Sequence, residues 1–174
     1  RMLAGPIDFT PGIFNIKFDQ YKKDNQVNTT LAHQLALYVV IYSPVQMAAD
    51  LVEHYEANPA PFQFIKDVGV DWEKTDVLNG EVGDFVTIAR KERNTGNWFL
   101  GAITDENSRT ININFDFLDT DTNYEAILYK DGENAHWNTN PLDLKIEKIE
   151  VTNQSKLTLK LAEGGGLAIS IIKK

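Results

Sequence analysis

The chain has 174 residues, 43% of them apolar, with a formal net charge of −8, three histidines and no cysteine. That length suits one domain, or a small domain plus part of another, and the apolar content supports a packed core rather than disorder. The acidic balance argues against nucleic acid and anionic membrane as partners, and the missing Cys rules out disulfides, thiolate metal sites and a cysteine nucleophile.

In chain order, Arg1 to Phe14 runs from an apolar stub into a loop with two prolines, two glycines and the carboxylate of Asp8. It reads as a strand end and active-site loop from the middle of a larger protein, with no initiator Met and no targeting segment in view. A helix is expected next: Thr29 or Thr30 can cap it, and it runs through Leu31, Leu35, Leu37, Tyr38 and Ile41. Ser43-Pro44 breaks it and opens a second helix carrying Val45, Met47, Ala48, Leu51, Val52 and Tyr55, which stops before Asn58-Pro59. The first helix is apolar almost all round, so it is built to be covered on more than one side. A chain this short promises too little cover, which predicts self-association through 31–57. The apolar run Leu35 to Tyr42 is too short to span a bilayer.

From about residue 71 the apolar period becomes two. Strands are expected over 84–89, 98–103, 110–117, 124–129, 144–151, 156–161 and 167–172, with a hairpin turn at Asn94-Thr95-Gly96. Ile111 to Phe115 and Leu157 to Leu161 alternate cleanly, one face buried and one wet. The fold class is therefore α+β. Residues 1–70 form an incomplete αβ piece, and 71–174 an antiparallel β-sandwich of seven or eight strands.

Other motifs carry little chemistry. Asp119-Thr120-Asp121-Thr122-Asn123 opens like a calcium loop, but Tyr124 replaces the required Gly and Lys130 the required Glu, so a polar turn is expected. His33, His54 and His136 lack zinc-site spacing; the first two read as surface or packing residues. Gly164-Gly165-Gly166 reads as a turn or bulge, since no helix start or Lys-Ser/Thr follows. Trp98, Phe99, Tyr129 and Trp137 would make a sugar-stacking platform only if a ring face were exposed; Trp137, in a polar loop, is the one to watch.

Three stretches together resemble one family. Arg1-Met2-Leu3-Ala4-Gly5-Pro6-Ile7-Asp8-Phe9-Thr10-Pro11-Gly12 is similar to the RMLxGPxDxTPG signature of glycoside hydrolase family 97. Gln34 to Asp50 resembles the barrel segment that follows it there, and Asn79 to Lys91 with Asn97 to Thr104 resembles that family's C-terminal domain. The resemblance implies a bacterial, often periplasmic α-glucosidase or α-galactosidase with a supersandwich, a (β/α)8 barrel and a C-terminal sandwich, acting on oligosaccharides with calcium held by active-site glutamates. It also implies that the catalytic carboxylates and calcium ligands precede the signature. No catalytic residue, metal ligand or cofactor is then expected in this chain, and the rest of the same polypeptide is its partner. Glycoside hydrolysis needs two carboxyls roughly 5 to 9.5 Å apart. Asp8 would lie in a loop after a barrel strand, on the catalytic face, close to substrate. Alternatively it fixes its own loop by capping the amides of Phe9 or Thr10. On this reading the sandwich buttresses the barrel. A non-catalytic module that binds carbohydrate through the sandwich and a purely structural, oligomerising piece are the alternatives.

Overall fold

A computed structural model describes residues 7–18 and 22–174. The first half of the signature, and with it any pairing of Arg1 with Asp8, lies outside the described residues. Helices α1 (Leu31–Val40), α2 (Val52–Glu56) and α3 (Pro59–Asp67) come first, then eight strands. These are β1 (Trp72–Glu81), β2 (Phe85–Glu92), β3 (Trp98–Thr104), β4 (Arg109–Asn114), β5 (Tyr124–Asp131), β6 (Leu144–Val151), β7 (Lys156–Leu161) and β8 (Gly166–Lys173). The switch from helix to strand falls between Asp67 and Trp72, where the apolar period changes. Six strands form one antiparallel sheet in the order β1-β2-β3-β8-β5-β6, and β4 pairs with β7 in a second.

The two sheets face each other across a core of Trp98, Leu100, Ile111, Ile113, Phe115, Leu128, Leu161, Leu167 and Ile169. The central strands β3 and β8 are buried along nearly their whole length, on both faces. Their dense apolar sequences, Trp98 to Ile103 and Leu167 to Ile172 with Ser170 the one polar side chain, are what two-sided burial demands. The second layer over them is α1 and α3. Leu35, Ala36, Tyr38, Val39 and Phe64 pack with Phe99, Tyr129 and Ala168 of the sheet, and with Phe14, Ile16 and Tyr55 on the far side of α1. Phe64 sits edge-on to Phe99 and to Tyr129, with ring centroids 6.3 and 5.3 Å away. Each such large side chain contributes about 1.5 to 3 kcal/mol on full burial.

The expectation that α1 lacks cover is therefore corrected. The all-round apolar pattern does mean burial on several sides, but this chain supplies the cover itself: the sheet beneath, and residues 14–16 and 55–64 above. Self-association through 31–57 fails for its first part, because Leu31–Val40 has no apolar face to offer; what stays exposed is Val45, Met47, Leu51 and Val52.

The second expected helix is also corrected. Residues 43–51 are irregular and only Val52–Glu56 is helical. Backbone amides of Met47 and Ala49 donate to the carbonyls of Phe9 and Pro11, 3.4 and 3.0 Å away, so the neighbouring segment takes groups that a helix would use. Asn58-Pro59, read as a stop, also starts α3, with proline in the first turn where its missing N–H costs nothing. The unanticipated strand β1 is an edge strand bearing Asp76, Asn79 and Gly80 and two register shifts, all of which obscure a strand pattern.

Glycine and charge fix α1 to the sheet. A Cβ on Gly101 would come within 2.6 Å of the Ala36 carbonyl, and one on Gly166 within 2.6 Å of the His33 Cα, so the helix rests directly on sheet backbone. At its N-terminus, Thr30 accepts from the His33 amide and donates its hydroxyl to buried Asp131 at 2.7 Å. The amides of Thr30 and Leu31 donate to the carbonyls of Gly164 and Pro141. Asp131 also accepts from the amides of Ala162 and Gly166, both at 2.9 Å. Burial nonetheless pushes its carboxyl above the usual range, outweighing those hydrogen bonds. At the C-terminus, buried Arg90 of β2 donates to the Val39 carbonyl at 2.6 Å and the Val40 carbonyl at 3.5 Å. An acidic group at the first turn and a guanidinium on the last carbonyls both match the helix dipole.

Gly101→Val should wedge α1 off the sheet, and Arg90→Met should leave two helix carbonyls without donors. We expect each to lower unfolding free energy in urea by about 1 to 3 kcal/mol, and an unchanged midpoint for both would refute this docking. His33 supplies a pH test. Its Nδ1 lies 3.2 and 3.1 Å from the Gly164 and Gly165 carbonyls, and burial lowers its pKa to about 4 despite them. The folded value lies below the unfolded one, so stability should be complete above about pH 6.5 and decline as pH falls toward 4. In His33→Gln that part of the pH profile should flatten.

Candidate functional site

Two segments before and after α1 lie side by side. Phe9 and Gln46 form a parallel bridge, and Ile7 N–H reaches the Tyr42 carbonyl at 3.5 Å. Parallel pairing across a helix is the βαβ unit from which parallel sheets and barrels are made, with ligands at the carboxyl ends of the strands. Those ends lead into two loops, 10–18 and 47–51.

The first loop is pinned at Pro11-Gly12-Ile13. Gln34 Oε1 accepts from the amides of Gly12 and Ile13 at 3.2 and 3.3 Å. Tyr38 donates to the Pro11 carbonyl at 3.1 Å, and Tyr55 to the Gly12 carbonyl at 2.8 Å. Gly12 has φ +86° and a Cβ there would lie 2.6 Å from the Tyr38 hydroxyl, so conformation and space both require glycine. Burial raises the pKa of both phenols, keeping them neutral donors.

Asp50 ties the loops to each other. Its Oδ2 accepts from the amides of Phe14 and Asn15 at 2.7 and 2.6 Å; its Oδ1 accepts from Leu51 N–H at 2.8 Å and lies 2.5 Å from His54 Nδ1. Desolvation pushes this carboxyl up, but the hydrogen bonds from Asn15, His54, Leu51 and Phe14 together outweigh it and hold the pKa below the usual value. With both oxygens engaged, Asp50 is a loop anchor rather than a free acid or base. Neither Asp50 nor His54 stood out in the sequence; the available signal was their i, i+4 spacing, with Asp50 just ahead of the short helix that carries His54.

Asp8, the residue expected near substrate, is exposed beside Phe9, and among the described residues its carboxylate makes no hydrogen bond or ion pair. The loop-capping role considered for it is accordingly taken by Gln34, Tyr38, Asp50 and Tyr55. Of the suggested sugar platform, Trp98, Phe99 and Tyr129 are core residues, between 1 and 2% exposed. Trp137 alone remains half-buried at the surface. Asp119 accepts from Tyr124 and Lys173 in an ordinary turn, with Asp121 at φ 54°. Among the described residues, no group of three or more His, Asp or Glu side chains is placed to hold a metal ion.

Comparison with known proteins identifies the class. A family model described as the C-terminal, oligomerisation domain of glycosyl hydrolase 97 matches residues 71–172. The chain belongs to this family. It is 35% identical over 175 residues to a retaining α-galactosidase of Bacteroides thetaiotaomicron, covering 98% of this chain and 26% of that protein. It superposes on a family 97 enzyme of Pseudoalteromonas sp. strain K8, solved in complex with acarbose, at TM-score 0.96 and 57% identity over 99% of this chain. A single-substitution variant of that enzyme in complex with panose gives TM-score 0.95. The chain spans about a quarter of each relative's length: 26% of the galactosidase and 27% of the Pseudoalteromonas chain. A β-arabinopyranosidase at 23% identity and TM-score 0.76 shares the fold.

Asp50→Asn tests the loop anchor. The Asp50 contribution to stability should be complete above about pH 4, where the unfolded carboxyl is already ionised. It should be lost as pH falls through the lower folded value. The variant should be less stable by about 1 to 3 kcal/mol at neutral pH and lack this acid limb. Wild-type and variant acid-unfolding curves that superimpose would contradict the assignment.

Proposed function

We propose that this chain is the C-terminal part of a family 97 glycosidase acting on α-glucosides, with residues up to about 70 closing the catalytic barrel and 71–174 forming the sandwich that holds them. The observation that carries this is the docking of α1. A helix between two parallel segments is fixed at both ends by sandwich residues, Asp131 at one and Arg90 at the other. The sandwich thereby sets the position of the two loops that α1 separates. The exposed apolar residues Val45, Met47, Leu51 and Val52, which flank the second segment, would then meet the rest of the barrel.

The preference for glucosides rests on the 57% identity to an enzyme solved with panose and acarbose, against 35% to a retaining α-galactosidase. The acid and base carboxylates, and the glutamates that would bind calcium, belong on this reading to the preceding barrel strands. Asp8 is then a substrate-proximal residue at the barrel mouth. A bacterial periplasmic location follows from the family resemblance alone. A second role, assembly of copies through the sandwich, is favoured by the description of the matching family model as an oligomerisation domain.

The whole enzyme should hydrolyse p-nitrophenyl α-glucoside with a kcat/KM at least about tenfold above that for the α-galactoside, a difference of about 1.4 kcal/mol in transition-state binding. The 174-residue chain alone should turn over neither. A preference for the galactoside would overturn the specificity, and inhibitor-sensitive turnover by the chain alone would overturn the placement of the carboxylates.

A further inference from the structure

Trp137 lies between two clefts that no part of the proposed chemistry uses. One, of about 380 Å³, is lined by Lys17, Asp24, Asn25, Asn28, Trp137 and Asn138 among others. The second, also about 380 Å³, shares Asn28 and Trp137 and continues past Gly164 to Thr104, Asp105 and Glu106. The two clefts meet at Asn28 and Trp137, which line both halves of this trough. Each half is within the lower range of small-ligand sites, about 300 to 1,000 Å³.

Hydrogen bonds and close packing hold the platform in place. The Trp137 amide donates to the Glu163 carbonyl at 3.1 Å, and its carbonyl accepts from Gln26 Nε2 at 3.4 Å. The neighbouring His136 ring lies 5.9 Å away at 25°, itself held by Glu163 on Nε2 and by the Asn138 amide on Nδ1. Gly164 packs so closely that a Cβ there would stand 2.7 Å from Trp137 Cβ, which is why the loop can pass the indole at all.

The lining selects one ligand chemistry. Planar amides and carboxylates around an aromatic ring pair the hydroxyls of a sugar while the ring covers its C–H face. A single Lys17 against Asp24, Asp105 and Glu106 disfavours phosphates and other anions. The polar rim disfavours a lipid or an apolar peptide. The trough also lies where a glycan would pass. It is at the N-terminal end of α1, beside His33, and a helix that follows a parallel strand begins at that strand's carboxyl end, the end where barrels carry their chemistry.

We propose that this trough is a distal subsite for an α-linked glucose chain, holding units that extend beyond the catalytic pocket. The inference rests on the glycosidase reading above. Its test compares maltoheptaose with p-nitrophenyl α-glucoside in the whole enzyme. Trp137→Ala and Asn28→Ala, the latter at an exposed position, should each lower the ratio of kcat/KM for the long substrate over the short one, by about tenfold for the tryptophan. The fall should come mainly through KM. If Trp137→Ala loses both substrates together, the tryptophan is structural and Asn28→Ala decides. Ratios equal to wild type in the decisive variant overturn the subsite. If the wild type cleaves neither substrate, the glycosidase reading has failed. The trough is then judged by calorimetry: maltoheptaose binding to wild type that is lost in both variants supports it, and no binding overturns it.

Discussion

The structure depends on one contact, the seat of α1 on the outer face of the six-stranded sheet. The helix comes close because Gly101 and Gly166 present backbone where other residues would present a Cβ. Its ends are held by groups of opposite sign, buried Asp131 linked through Thr30 to the first turn and buried Arg90 on the last carbonyls. Among the described residues, neither charged side chain is paired with an opposite charge. Each is compensated by helix-end groups and backbone, which makes helix and sheet mutually dependent: without the helix, two buried ions lose partners, and without the sheet, the helix loses its caps.

From that seat the effect reaches the loops. Gln34 and Tyr38 project from α1 to hold Pro11-Gly12-Ile13; Tyr55 and Asp50 hold the same loop from the other side; and Gln46 Nε2 donates back to the Tyr38 carbonyl at 2.7 Å. The sandwich is thus coupled mechanically to the carboxyl ends of the parallel segments through one helix.

Much of this was legible in the sequence, and the failures have physical causes. Seven strands were readable because their apolar residues recur at period two or as short dense runs, and a threonine cap, at Thr29 or Thr30, because a hydroxyl precedes an apolar helical repeat. The all-round apolarity of α1 correctly signalled multi-sided burial. That the sandwich covers it was readable; which residues do so was not, because they are distant in sequence, such as Phe99 and Ala168. The segment 43–51 has helical spacing but pairs with 9–11, a non-local choice that spacing cannot reveal. The same holds for Asp50, whose four donors are assembled by folding; nothing in its neighbours announces them. Trp137 was visible as an aromatic in a polar loop, yet the trough around it is built from a turn more than a hundred residues away.

The most direct measurement is native-state hydrogen exchange of the α1 amides, Leu35 to Val40, against those of β3 and β8 within the whole enzyme. If helix and sheet form one cooperative unit, both sets should open with the same free energy and respond alike to denaturant. Amides of α1 that exchange through a distinctly lower-energy opening, while the sheet stays closed, would show that the helix is not held by the sandwich and would contradict the account.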